Sequence, residues 1–154
     1  MEAVILIGIP GAGKTTFYRE RFFETHLRIS LDMLKTRERE RFLVSACLNV
    51  RQPFVLDNTN VLAAERAVYM AQAKAAGFRV VGYYFQTPVR AAIARNNKRT
   101  DKKPLVVPAI LRAYKRIERP VLAEGFDELY AVTAERDQEF TVSRMVAEEG
   151  VEPS

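Results

Sequence analysis

The chain has 154 residues, 48% hydrophobic and 28% charged, the balance of a water-soluble globular protein with one domain whose core covers both faces of a small sheet. No apolar run approaches the roughly 20 residues that span a bilayer, Met1-Glu2-Ala3-Val4 lacks the basic start of a secretory signal, and the single Cys47 excludes an internal disulfide or a cysteine metal cluster. A cytoplasmic setting without a membrane partner is therefore expected, and a net charge of +5 with a pI near 9.5 favours polyanionic partners such as nucleic acid.

The first element is the apolar run Ala3–Gly8, which predicts a buried strand and leads directly into Gly8-Ile9-Pro10-Gly11-Ala12-Gly13-Lys14-Thr15. This is G-x-x-x-x-G-K-[ST] with a strand before it and a helical pattern, Lys14–Phe23, after it, the context that a phosphate-binding loop requires. The glycines let the backbone curl so that successive N–H groups point inward at a polyphosphate. Lys14 can reach the β- and γ-phosphates, the Thr15 hydroxyl can ligate Mg²⁺, and the following helix adds the positive end of its dipole. A nucleoside triphosphate is the expected ligand, held by Gly8, Pro10, Gly11, Ala12, Gly13, Lys14, Thr15 and Thr16.

Further strand-like runs lie at His26–Ser30, Pro53–Asp57, Arg79–Phe85 and Glu128–Thr133. Helical patterns alternate with them at Asp32–Val50, Ala63–Ala76 and Val89–Asn97, the second ending at Gly77 as a left-handed C-terminal residue would end it. The alternation predicts an α/β fold, a P-loop NTPase-type parallel sheet with helices on both faces. Ligands of such sheets bind at the carboxyl ends of the strands. Ser30 and Asp32 after the second strand, Asp57, Asn58, Thr59 and Asn60 after the third, and Gln86 and Thr87 after the fourth should then share the rim with the P-loop.

Residues 96–104 are polar and basic and lead into prolines, so a lid over bound nucleotide is expected at about residues 96–108. The pattern Ile110–Ile117 resumes a helix, with Pro108 near its first turn. The domain is expected to span residues 1–142. In the tail, 143–154, only the stretch up to Val146 could be structured, and Ala147–Ser154 should fray.

Phosphoryl transfer needs positioned phosphates, a metal, an oriented nucleophile and cationic stabilisation of the transition state. Asp57 closes the run Phe54-Val55-Leu56 as a Walker-B acid does and could hold Mg²⁺ directly or through water; an Asx-turn residue ending a strand would look the same. Asp32, just past a strand, reads equally as a first-turn helix acid or as a general base for an attacking hydroxyl.

With these pieces in order the chain resembles the 5′-hydroxyl polynucleotide kinases, including the kinase domain of polynucleotide kinase-phosphatases. The resemblance runs from Val4 to about Val132. It is carried by the P-loop, Ile29-Ser30-Leu31-Asp32, Val55-Leu56-Asp57-Asn58-Thr59-Asn60, Ala94-Arg95-Asn96-Asn97-Lys98-Arg99 and Leu122-Ala123-Glu124-Gly125-Phe126. It implies an ATP donor with Mg²⁺, Lys14 and Thr15 as phosphate and metal ligands, and Asp57 as Walker-B acid. It further implies Asp32 as the base that takes the proton of a polynucleotide 5′-OH. Arg99 would be the lid arginine on the donor phosphates, with Arg95 as its helper.

Two departures bear on the acceptor. Where the family reads Asn-Arg-Asp this chain has Ser30-Leu31-Asp32, and where some members place an arginine three residues later it has Lys35, a point charge without the bidentate fork. Lys35, Asn58 and Asn60 are expected at the acceptor, with Arg37 and Arg39 nearby, although Thr36–Arg41 also reads as a solvated helix face. The expected activity is ATP-dependent phosphorylation of DNA or RNA 5′ ends, with any phosphatase or ligase supplied by a partner chain. A small-molecule kinase acting on a sugar, nucleoside or antibiotic is the alternative, and a nucleotide-dependent switch is the reading from another class.

Overall fold

The computed structural model describes residues 1–97, 107–134 and 139–146 of the chain. The greater part of the expected lid and the end of the expected tail lie outside the described residues.

Strands β1 (Glu2–Ile7), β2 (Leu27–Ile29), β3 (Phe54–Asp57), β4 (Arg79–Phe85), β5 (Glu128–Ala134) and β6 (Phe140–Arg144) form one sheet in the order β2-β3-β1-β4-β5-β6. The first five are mutually parallel and β6 runs antiparallel to β5. Val4, Ile5, Leu6 and Ile7 are all buried because β1 has a strand on each side and helices over each face, which is why its sequence is a continuous apolar run rather than an alternation.

Helices α1 (Lys14–Arg21), α2 (Leu31–Leu34), α3 (Arg37–Val50), α4 (Ala63–Ala75), α5 (Val89–Asn97) and α6 (Val107–Arg116) flank the sheet. One layer packs α3 and α4 on the sheet through Val44, Cys47, Tyr69, Met70 and Ala73. The other packs α1, α5 and α6 through Phe17, Tyr18, Ala92 and Ile110. The chain leaving α6 changes face: Ile110 sits in the second layer, Ile117 in the first, and the Glu118 N–H donates to Val61 O at 2.7 Å. Since Val61 follows the carboxyl end of β3, α6 passes across the rim that carries the P-loop. Among the described residues no helix is long and apolar enough to cross a membrane.

Two expectations change. The single helix Asp32–Val50 is two helices, because Lys35 adopts φ 75° and the Thr36 hydroxyl accepts the Arg39 N–H at 3.2 Å, capping α3 afresh. The parallel sheet gains an antiparallel edge strand, drawn in by Phe140 and Val142 packing on the α1 layer, where the Phe140 ring meets Phe17 edge-on at 5.2 Å. That pairing continues past residue 142: Tyr130 pairs with Arg144, and Met145 N donates to Leu129 O at 2.7 Å.

Gly82 in β4 marks a close approach. A Cβ there would lie 2.6 Å from Phe126 Cε1 and 2.8 Å from Leu129 Cδ1. The expected result for Gly82→Ala is a destabilisation of about 1–3 kcal/mol through overpacking, read as a lower urea midpoint with an unchanged m-value; no shift would mean that the Phe126 ring yields freely.

Candidate active site

The register of β1 on β3 pairs Leu6 with Asp57, so the carboxylate emerges beside the last residues of β1, where the P-loop begins. Within the loop Gly11 and Gly13 take φ 82° and 98°. Gly11 also lies so close to α5 that a Cβ would come within 2.4 Å of Ala92 O. Glycine is required there on both counts. Lys14 is buried, and its Nζ donates to Gly8 O and Ile9 O, each at 2.9 Å, so the ammonium lies inside the curl of the loop.

On the first turn of α1 the Thr15 hydroxyl donates to Asp57 Oδ2 at 2.9 Å. Two hard oxygen groups thus meet at the mouth of the loop, a donor set that suits Mg²⁺ rather than a softer metal. Thr15 and Asp57 would hold the ion, which when bound neutralises charge on the phosphate oxygens. The same Asp57 oxygen accepts Arg28 Nε at 2.7 Å, and Arg28 Nη2 lies 3.4 Å from Thr15 Oγ1. Arg28 has no place in the sequence reading. It sits in the edge strand β2 between Leu27 and Ile29, where alternation suggests only an outward-facing side chain.

Asp32 is an exposed residue of α2, which starts directly after β2 on the P-loop rim. The helix is anchored one residue earlier, where Leu31 N donates to Asn58 Oδ1 at 2.9 Å. Asn58 Nδ2 in turn donates to Glu40 Oε2 at 2.6 Å. Glu40 is fully buried (0% exposed) and is also bonded by the Tyr69 hydroxyl and by Arg37 Nη1 at 2.9 Å. Burial and the neighbouring Glu40 push the Tyr69 phenol up to about 12. Arg37 therefore belongs to an ordered ion network with Glu40 and Glu65 rather than to a purely solvated face. Arg39 Nη1 donates to Leu34 O at 3.1 Å, and Lys35 is exposed.

Asn58 and Asn60, both expected at the acceptor, make bonds within the protein. Asn58 ties α2 to Glu40 by both ends of its amide. Asn60 is buried with φ 48°, and its Nδ2 donates to Leu6 O at 2.7 Å, so it fastens the loop after β3 to the end of β1. The motif around Glu124 is likewise internal. Arg66 of α4, fully buried, makes a two-pronged pair with Glu124 at 2.9 and 3.0 Å and donates to the carbonyls of Asn60, Val61 and Glu118. Neither Glu40 nor Arg66 was legible as a site support, since their partners lie 18 or more residues away in most cases. Arg99 lies outside the described residues, as does the side chain of Arg95, although its backbone belongs to α5.

Replacing Tyr69 by Phe removes a hydrogen bond to a buried carboxylate and should cost roughly 1.5–3 kcal/mol at neutral pH. A phenol whose folded value is raised contributes stability that is complete below its unfolded value near 10 and disappears as pH rises through about 12. The stability gap between wild type and Tyr69→Phe should therefore narrow above pH 10, as urea midpoints across that range would show; a constant gap would contradict the raised phenol.

The chain is 28% identical over 139 residues to a protein of Acanthamoeba polyphaga mimivirus named as a bifunctional polynucleotide phosphatase/kinase, and 25% identical over 144 residues to the bifunctional polynucleotide phosphatase/kinase of Schizosaccharomyces pombe. These alignments take in 86% and 85% of this chain but 33% of each relative, so the chain spans about a third of their length. Among solved structures it is similar to Chaetomium thermophilum Kti12 in complex with ADP-AlF3, at a TM-score of 0.66 and 18% identity over 88% of this chain and 92% of that one. It is also similar to a gluconokinase from Sinorhizobium meliloti, at 0.60 and 17% over 86% and 82%. The fold is that of the P-loop kinases. The AAA_33 model, described as an AAA domain, matches residues 34–120, more than half of the chain, and the protein belongs to that family.

Proposed function

We propose that this chain is an ATP-dependent kinase that transfers the γ-phosphate to a 5′-hydroxyl end of DNA or RNA, with Asp32 as general base. In that reaction the acceptor oxygen attacks the γ-phosphorus and its proton passes to Asp32. The bond from the γ-phosphorus to the β–γ bridging oxygen breaks, and ADP leaves. Lys14 and the P-loop amides hold the donor phosphates, and Thr15 and Asp57 would hold a Mg²⁺ ion that would supply charge neutralisation there. Lys35 and the lid residues Arg95 and Arg99 complete the cationic surround in this reading.

The observation that carries it is the meeting of Lys14, Thr15 and Asp57 on one rim with an exposed Asp32 whose helix is pinned through Asn58 and Glu40. A switch that only binds nucleotide has no need of an exposed carboxylate on a helix pinned in that way. The nucleic-acid acceptor is supported by the names of the two relatives and by the net charge of +5. It is also supported by α6 and the residues after it, which cross the rim with Arg112, Lys115, Arg116, Arg119 and Tyr114 exposed. Such a surface attracts phosphates and offers an aromatic face for a base. A cytoplasmic setting, where ATP is available, is part of the same reading.

The expected result with γ-labelled ATP is labelling of a 5′-OH oligonucleotide. Asp32→Asn should lower turnover at least about 100-fold, the scale of lost general-base catalysis, while ATP affinity measured by calorimetry stays within about twofold. Failure to label any DNA or RNA end would defeat the polynucleotide reading. A small-molecule kinase is the second reading, favoured by Leu31 standing where the resembling family has an arginine beside its base and by the fold shared with a gluconokinase. In that case single-stranded oligonucleotide would leave ATP turnover on a sugar or nucleoside acceptor unaffected.

A further inference from the structure

We infer that Arg28 is a resident cation of the metal position and that it weakens the dependence of nucleotide binding on magnesium. Its guanidinium is a planar cation with several N–H donors. It lies 2.7 Å from Asp57 Oδ2, and Nη2 stands 3.4 Å from Thr15 Oγ1, the two oxygen groups that would hold the ion. Asp57 is almost fully buried, while the Arg28 side chain is 20% exposed, so solvent screens this pair incompletely.

The consequence follows from charge and geometry alone. Mg²⁺ binds oxygen at about 2.0–2.1 Å, and Arg28 Nη2 is 3.4 Å from Thr15 Oγ1, so an ion on that hydroxyl would stand no farther than about 5.5 Å from the guanidinium, where like charges repel. If Arg28 stays, magnesium meets that repulsion and a carboxylate oxygen that already accepts two hydrogen bonds. If Arg28 swings away, a partly buried ion pair is lost. Either way the advantage that magnesium brings to a bound triphosphate shrinks relative to a site with a neutral residue at position 28. A purely structural arginine would predict no such link between this side chain and the metal.

The register explains how an edge-strand residue reaches the site. Arg28 pairs with Val55, two residues before Asp57, and its long side chain extends along β3 to the carboxylate. The reach is anchored below, where the Tyr18 hydroxyl of α1 donates to His26 O at 2.6 Å and His26 Nε2 meets Glu2 Oε1 at 2.9 Å. Both contacts hold the start of β2 against α1 and β1.

The inference rests on nucleotide binding at the P-loop and not on the identity of the acceptor, so it stands if every oligonucleotide proves inert. ATP affinity is measured by calorimetry with chelator and with saturating magnesium for wild type, Arg28→Gln, Arg28→Met and Arg28→Lys. ATP binding in chelator tests the P-loop reading separately. Wild type should gain less than about tenfold in affinity from magnesium, Arg28→Gln and Arg28→Met at least about fivefold more than wild type, and the charge-retaining Arg28→Lys about as little as wild type. Magnesium alone, without nucleotide, should raise the melting temperature of the neutral variants and leave that of wild type unchanged. A wild-type gain well above tenfold overturns the inference, whatever becomes of the variants. So does an equal or smaller magnesium gain in a neutral variant that folds, or a wild-type melting temperature that already responds to magnesium alone.

Discussion

Strand β1 is buried from both faces and hydrogen-bonded along both edges, and the rest of the molecule is arranged around the point where it ends. A strand so enclosed cannot slip by a residue without turning its apolar side chains into the wrong layer. Its register is therefore firm on both sides, with Leu6 opposite Asp57 and Ile7 opposite Tyr84. The P-loop inherits that position. Gly11 passes under α5 where no side chain fits, Thr15 falls within hydrogen-bond reach of Asp57, and Asn60 ties the neighbouring loop to the last carbonyls of β1. The site is the free end of the most constrained element in the protein.

The loops around that end are held by two buried charged side chains, Glu40 and Arg66, of types almost never fully buried unless paired. Glu40 joins α3, α4 and the loop after β3, while Arg66 joins α4 to the same loop and to the stretch between α6 and β5. Each has its hydrogen-bonding capacity met by several partners at once, the condition under which a buried ion is tolerated. A more exposed pair such as Arg79–Glu128, between the starts of β4 and β5, contributes little by comparison. Because the two hubs meet at Asn58–Val61, the segment that follows β3 is fixed from both sides, and through the Leu31–Asn58 bond so is the start of the helix that carries Asp32.

This gives the resemblance to the polynucleotide kinases a particular meaning. Asp-Asn-Thr-Asn and Leu-Ala-Glu-Gly-Phe are its more specific motifs, yet Asn58, Asn60 and Glu124 bond to protein. In this chain these side chains brace the rim. Lys35 at the end of α2 and the cations Arg112, Lys115 and Arg116 of α6 are exposed by contrast. Arg28 adds a feature of another kind, a cation set against the group that would hold the metal.

What can be read along the chain is whatever depends on neighbours in sequence. The P-loop, the alternation of strands and helices, the acid at the end of β3 and the left-handed stop at Gly77 all rest on spacing and local conformation, and all are present in the structure. The break at Lys35 was hidden because its charged surroundings suit a helix, and only the cap by Thr36 ends the ambiguity. Strand β6 was hidden because a short half-apolar segment pairs only when a sheet edge is offered. Arg28, Glu40 and Arg66 were hidden for a deeper reason. A charged side chain carries no mark of whether it will face water or another charge, and that choice is made only when β2, β3 and α4 are brought together from distant parts of the chain.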